Sequence, residues 1–404
     1  MKNQKTKPSF EFVALMASLM SIVALSIDAL LPALSNIGIA VHNNNSTDHQ
    51  LLITMIFLGL GLGQLFFGPL SDSYGRKPII YIGFLVFIIS SFICVLATSL
   101  EVMIIGRILQ GIGLSAARTI SISIIRDTYE GNYMAKVMSF VTAFFILVPV
   151  VAPAFGKIIL ESMGWKAIFY MQIFFSFVIG IWFWKRQPET LHPEYKIPFT
   201  SHVFIDGLKE LIRYKETIAC TMVSGLITGA FLVYLSSAQH VFEDQYNLKD
   251  TFPYLFAALA VSIGLSTFLN GTLVLRFGMR KLAFIALLLF TGLSLTYVVF
   301  FYGSSNPSIL VLMIFLSLIF FCLGFIWGNM RSIAMEPIGH IAGIGAAITG
   351  FISTLVSIPI ATYIGSFITD TVLPLFIGLS ICGICAITLF LIFRQPASEV
   401  VLEA

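Results

Sequence analysis

The chain has 404 residues, of which 58% are hydrophobic and only 11% are charged, with a formal net charge of +3 at pH 7. A soluble domain of this length needs far more polar surface to cover its core, so a water-soluble globular fold is excluded. The small charge excess gives no basis for a nucleic-acid partner, and the apolar runs are continuous rather than alternating, which argues against a β-barrel.

The apolar runs are each about 20 residues long, the length that crosses a hydrocarbon layer of about 30 Å. The first is expected over residues 10–33. It has no small-residue cleavage site of the signal-peptide kind, so it is expected to remain in the protein. It carries Asp28 within Ser26-Ile27-Asp28-Ala29-Leu30-Leu31-Pro32-Ala33-Leu34. An aspartate at the centre of a membrane helix costs about 2.5–3.5 kcal/mol on insertion scales. Two readings stand. Asp28 is a proton carrier, because poor solvent favours the neutral acid and its charge changes when water reaches it. Alternatively it is an interfacial residue that bonds locally near Pro32. It also has the chemistry to bind substrate directly.

The next two spans are expected near 50–70 and 78–98, joined by Gly68-Pro69-Leu70-Ser71-Asp72-Ser73-Tyr74-Gly75-Arg76-Lys77. The glycines allow a tight turn, and Asp72 can pair with basic groups or sit at a helix N-terminus. Asp127, at the end of the fourth span, is the expected partner for Arg76. This segment reads as a gating latch or as a static charged turn.

The fourth span, near 102–124, holds Arg107, Gln110, Gly111, Gly113 and Arg118. A cation inside a span pairs or lines water rather than facing lipid. Gln110 lies about one turn from Arg107, and Arg118 about three turns away, so the three share nearly one face. Arg107 is expected to tune the acid or to couple proton and substrate, with Gln110 beside it on the cavity wall. Two cations on that wall would attract an anionic substrate. The alternatives for Arg118 are a pair with Asp127 or Glu130, or snorkelling to the headgroups.

The fifth span, near 136–160, contains Pro149 and Pro153 ahead of Gly156, which reads as a fixed bend that controls leakage or as a packing kink. The sixth follows near 166–185. Residues 186–216, with Pro188, Pro193, Pro198 and many charges, read as a loop between residues 1–185 and 217–404. Six further spans are expected near 217–239, 253–274, 281–302, 308–331, 341–367 and 371–393. Arg331 lines the cavity or snorkels. His340 either titrates near neutral pH or packs locally. Pro359 offers a second bend. Cys94, Cys220, Cys322, Cys382 and Cys385 all fall in apolar runs and read as packing residues without disulfides.

The expected result is an all-α integral membrane protein with twelve transmembrane helices in two pseudo-symmetric six-helix bundles. With Arg107, Arg118 and Arg331 set aside as lying within spans, only Lys157, Lys166 and Lys249 fall on the side opposite the termini, so both termini are expected in the cytoplasm. The segment Gly271-Thr272-Leu273-Val274-Leu275-Arg276-Phe277-Gly278-Met279-Arg280-Lys281 repeats the earlier loop with one inserted residue. Parallel halves with a site between them are a transporter plan. There is no phosphate-loop spacing, metal-ligand cluster or hydrolase triad, so an enzyme is not expected and no cofactor is implied. An ion gradient is the remaining source of energy.

Taken together, these residues resemble the major facilitator superfamily. Gly68 to Lys77 is similar to its loop motif. Arg107-Ile108-Leu109-Gln110-Gly111-Ile112-Gly113 resembles the fourth-helix motif of its drug:proton antiporter branch, and Pro149 to Gly156 resembles the fifth-helix antiporter motif. Asp28 to Leu34 and Glu336-Pro337-Ile338-Gly339-His340-Ile341-Ala342-Gly343 are similar to the Bcr/CflA multidrug efflux subfamily. The resemblance covers nearly the whole chain. It implies a monomer in the cell (inner) membrane that moves a small molecule against protons by rocker-switch alternating access. Several positions depart from the pattern. Ser73 or Tyr74 falls where the loop motif often has arginine, Leu30 where tyrosine is common, Lys157 where glycine is usual, and Arg118 where small residues are common. The last three put a drug in doubt and admit a carboxylate metabolite or metallophore. An importer on the same scaffold and a non-transporting membrane sensor are the competing readings.

Overall fold

The computed structural model describes residues 9–43, 45–129, 131–196, 201–338 and 341–393. Regular structure among them is helical throughout, and twelve helices are long and apolar enough to cross a membrane. In the first half these are α1 (Phe10–Asp28), which continues through a 3-10 turn into α2 (Leu34–Ala40), then α4 (Leu51–Tyr74), α5 (Arg76–Leu96), α6 (Leu100–Thr128), α7 (Gly131–Met163) and α8 (Trp165–Arg186); a short α3 (Ser46–His49) precedes α4. The linker carries α9 (Ser201–Arg213). The second half comprises α10 (Lys215–Gln239), α11 (Phe252–Phe277), α12 (Met279–Phe301), α13 (Ile309–Met335), α14 (Ala342–Gly365) and α15 (Leu373–Phe393). An even number of crossings puts both ends of the described chain on one face, called here the terminal face; the other is the far face.

The apolar runs form helices because a chain in lipid must satisfy its backbone N–H and C=O groups internally. They gather into two bundles. In the first, α6 packs against α4 and α5, and α1 against α7; in the second, α10 packs against α13, α14 and α15. The halves meet along α4 and α14 and along α7 and α11. The internal repeat is visible in the backbone. Gly75, between α4 and α5, and Gly278, between α11 and α12, adopt φ of 110° and 77°, a region that favours glycine. All five cysteines are free.

Three expectations about elements are revised. The first span is not one helix. Pro32 has no N–H to give the Asp28 carbonyl, and the Leu30 N–H bonds Ile27 rather than Ser26, so α1 stops at Asp28 and the chain turns before α2. The seventh span is longer than expected, because α10 runs on into a π-helical turn at His240–Gln245. The linker is not only a loop. In α9, Leu211 is buried against Ile338 and Ile348, while Ile205, Leu208 and Ile212 form an exposed apolar row. That spacing is helical, but the surrounding prolines and charges outweighed it in the sequence. Pro149 and Pro153 lie inside α7, which runs on through both.

Candidate functional site

At the terminal face, the loop motif gathers charge. Arg76 is only 3% exposed and holds Asp72 through one guanidinium nitrogen and Asp127 through Nε, at 2.9 Å. It also donates to Ser71 Oγ at 2.7 Å. The anticipated Arg76–Asp127 pair is therefore present. These residues all belong to α4, α5 and α6 in one half, so in this conformation the cluster staples the first bundle rather than joining the two. Arg280 repeats the arrangement in the second half, pairing with Glu216 at 3.0 Å and Glu336 at 3.2 Å.

Sequence reasoning missed Glu189. Its carboxylate accepts the backbone N–H groups of Arg76 and Lys77, both at 3.0 Å, and so caps the start of α5. A Cβ on Gly75 would sit 2.8 Å from Glu189 Oε2, a second reason for glycine there. Partial burial opposes ionisation of Glu189, but hydrogen bonds from the Leu191, Lys77, Arg76 and Thr190 N–H groups outweigh it and hold the carboxyl below its ordinary range. A depressed folded pKa stabilises the protein above the unfolded Glu value, and that contribution is lost as pH falls through the folded value. Glu189→Ala should therefore cost about 1 kcal/mol at pH 7. The gap in thermal unfolding between variant and parent should close as the pH is taken below about 4.

Asp28 sits where α1 breaks. It is 5% exposed and has no hydrogen bond or ion pair among the described residues. It interacts electrostatically with Tyr234 of α10, in the opposite half, whose hydroxyl is buried without a hydrogen-bond partner. Gly156 of α7 packs against the next residue, since a Cβ there would meet Ala29 O at 2.0 Å.

Arg107 and Gln110 are placed differently from expectation. Both are 0% exposed inside the first bundle, not on a cavity wall. The Arg107 guanidinium is taken up by Leu52 O at 2.9 Å, Ser26 O at 3.2 Å and Gln110 Oε1 at 2.8 Å. Gln110 passes its amide on to Ser91 Oγ at 2.7 Å. The Ser26 carbonyl is the one left free by the break in α1, so Arg107 caps a defect two residues from Asp28 instead of pairing with the acid. Gly111 allows this fit, because a Cβ on it would meet Ile56 O at 2.1 Å.

The second half contributes an aromatic wall that the sequence did not single out. Tyr234 stands edge-on to Phe320 with ring centroids 4.6 Å apart, and Phe231 edge-on to Trp327 at 5.0 Å. The Trp327 indole N–H is also buried without a partner. Trp327 lies one turn before Arg331 on α13, a spacing that was legible but had no visible partner to give it meaning. Arg331 is exposed although it lies within a span, and Arg118 is half-buried. Neither guanidinium has a hydrogen bond or ion pair among the described residues. The alternative pairing of Arg118 with Asp127 does not form; Arg76 and Thr190 bond that carboxylate instead. Glu130 and His340, raised as alternatives, lie outside the described residues. Counting along the helices, Asp28 lies about 27 Å from the terminal end of α1 and Arg118 about 15 Å from that of α6.

On the far face the halves are tied together. Lys157 of α7 bonds Asp250 at 2.7 Å and the Lys249 carbonyl at 3.1 Å. Gln239 Nε2 donates to Glu243 at 2.9 Å and reaches Pro32 O at 3.4 Å. Lys157 thus ties the two halves on the far side, and its partner Asp250 is held below the ordinary aspartate range, first by that hydrogen bond. Asp28 and the aromatic wall thus lie between halves that are tied on the far face and again by Gln64 Nε2 donating to Ala346 O at 3.2 Å, with Arg118 and Arg331, unpaired among the described residues, nearer the terminal face.

Comparison with known proteins agrees with this geometry. The chain is 27% identical over 372 residues to an uncharacterized MFS-type transporter, YdgK, of Bacillus subtilis, covering 90% of each chain. It is 25% identical over 398 residues to the bicyclomycin resistance protein homolog of Haemophilus influenzae, covering 94% of this chain and 95% of that one. The crystal structure of a D-xylose-proton symporter superposes with a TM-score of 0.72 at 16% identity over 96% of this chain and 98% of that one, which shows a shared fold. A model of the Major Facilitator Superfamily matches residues 16–361. The chain is a multi-pass membrane protein and belongs to the Major Facilitator Superfamily.

Proposed function

We propose that the protein is a proton-coupled exporter of a small amphipathic or anionic molecule, working by alternating access. The observation that carries this reading is Asp28: a buried acid at a helix break, with no hydrogen bond or ion pair among the described residues, that interacts electrostatically with Tyr234 of the opposite half, whose hydroxyl is buried and unpartnered. A group so placed differs in solvation between the two states of a rocking carrier, and its protonation biases their equilibrium. The excess of Lys and Arg at the terminal face supports a cytoplasmic position for that face, with both termini on the cytoplasmic side of the cell (inner) membrane. In the described conformation the far-face ties close the outside. Substrate enters from the cytoplasm, rests its apolar body on Phe231, Tyr234 and Trp327, and is carried outward. Protons reaching Asp28 from outside then reset the protein. Similarity to relatives that include a bicyclomycin resistance homolog supports export of a drug-like compound. The gradient supplies the energy, no cofactor is required, and a monomer suffices.

The test is made in inside-out vesicles with an imposed, interior-acid pH gradient. The compound is identified first, by comparing metabolites secreted by cells with and without the protein. Adding it should release protons from the vesicles. Uptake that follows inward proton flow into whole cells would make the protein an importer, and binding with flux of neither species would make it a sensor.

A further inference from the structure

The far-face closure hangs on one short stretch of the second half. Gln239 reaches Pro32 O at 3.4 Å and Asp250 holds Lys157 at 2.7 Å, so both of these ties to the first half belong to residues 239–250. The stretch opens with the π-helical turn His240–Gln245, a form that is rare and recurs at functional sites. His240 anchors that turn to its own half. Its Nε2 lies 2.7 Å from Thr369 O, in the loop between α14 and α15, and its Nδ1 lies 2.8 Å from the Asp244 carboxylate. A carbonyl oxygen only accepts, so Nε2 must carry a hydrogen. A neutral ring then turns a lone pair at Nδ1 toward an ionised carboxylate. Both bonds are made together only when the pair holds one further proton. The His240 side chain is 15% exposed and that of Asp244 51%, so this proton exchanges with water at the far face. Around the ring stand Glu243 on its own turn and Asp370, bonded to the Thr369 hydroxyl. Across a crevice between the halves, which Gln239 and Asp244 also line, stand His49 and Gln50. His49 already bonds Asn43 O through Nε2, at 3.0 Å.

We propose that His240 and Asp244 form an external-pH latch: one proton shared between them holds the far face closed, and its loss releases residues 239–250 and frees that face to open. The latch goes beyond the export reading and does not involve Asp28. Imidazole is the side chain that takes up and gives back a proton between about pH 5 and 8. When the proton leaves, Nδ1 and the carboxylate repel each other and the π turn loses its anchor. Gln239 and Asp250 lie on the same stretch, so their bonds to Pro32 and Lys157 weaken with it. Acid outside therefore favours a closed far face, and alkali an open one. That is the direction in which a proton-driven exporter resets after releasing its cargo.

The experiment uses the full chain in lipid nanodiscs, without cargo, with dyes attached through Met163→Cys on α7 and Tyr254→Cys on α11, both exposed at the far ends of their helices. Single-molecule energy transfer reads the fraction of molecules open at the far face. Asp28→Asn is the background, so that titration of that acid contributes nothing. In this background the open fraction should be at least about twofold higher near pH 8 than near pH 6. His240→Gln should abolish the difference and leave the open fraction high at both pH values. Asp244→Asn should also abolish it, but with the far face closed at both, because an amide donates to Nδ1 of the neutral ring and accepts from the protonated one. A merely structural ion pair would loosen in both variants, so opening in Asp244→Asn overturns the latch. It is overturned equally by a response that survives His240→Gln, by one that His49→Gln removes, and by no response in the background. Nothing is transported in this measurement. A carrier shown to move no protons leaves the latch standing, and failure of the latch leaves the export reading untouched.

Discussion

Replacing Asp28 by asparagine should lower gradient-driven export by at least about 100-fold, equivalent to about 2.7 kcal/mol in a rate-limiting barrier. Asparagine keeps the shape and can satisfy the same neighbours, but it cannot take up or lose a proton. Substrate binding in the absence of a gradient should survive, because the aromatic wall on α10 and α13 is untouched. The stability of the variant separates this role from a structural one. Asp28 has no hydrogen-bond partner among the described residues, and its burial already favours the neutral acid, so asparagine breaks no contact. Thermal unfolding should therefore occur at the same temperature or higher. Export at the parent's rate with an imposed pH gradient would show that the proton travels elsewhere; a drop in unfolding temperature with intact coupling would return Asp28 to the interfacial role.

The second large effect is expected from the smallest possible change. In Gly156→Ala the new methyl would lie 2.0 Å from Ala29 O and 2.8 Å from Ala29 C. Both are backbone atoms, so no rotamer change relieves the clash, and either α7 or the broken segment after Asp28 must move. Overpacking of this kind costs about 1–3 kcal/mol, with rigid backbone neighbours favouring the upper end. The functional loss should be larger than the stability loss suggests, at least about tenfold in export, because the displaced segment follows directly on Asp28. Gly180→Ala is the control: its added Cβ would meet only Phe84 ring atoms, the nearest at 3.6 Å, and should be tolerated. Equal export by the two variants would remove the close approach of α7 from the mechanism.

The helices and their order were legible because apolar length alone distinguishes a membrane span, and the loop repeat predicted two halves that the glycines at 75 and 278 then display in their backbone angles. The Arg76–Asp127 pair could be anticipated from charge at two adjacent helix ends. Arg107 was legible as a cation that must find partners inside a span, but its place was not. Its position on one helical face with Arg118 suggested a shared wall, whereas the helix break at Pro32 creates a bare carbonyl that draws the guanidinium inward. Nothing in the local sequence states which of several nearby acceptors a long side chain will reach. Tyr234, Trp327 and Glu189 were missed for a related reason. The two aromatics sit among 38 phenylalanines and 13 tyrosines, and only the packing of α10 against α13 singles them out. Glu189 works across more than a hundred residues of chain, from a linker that the proline content made look passive.

The linker is fastened at both ends to different bodies. Glu189 and Thr190 hold one end to α5 and Asp127 of the first half, and α9 rests through Leu211 on the second half's Ile338 and Ile348. The chain between Leu191 and Ser201 can span at most about 33–36 Å when taut. It is a leash and not a spring: it sets how far the two bodies can stray, and leaves the choice of direction to the groups between them.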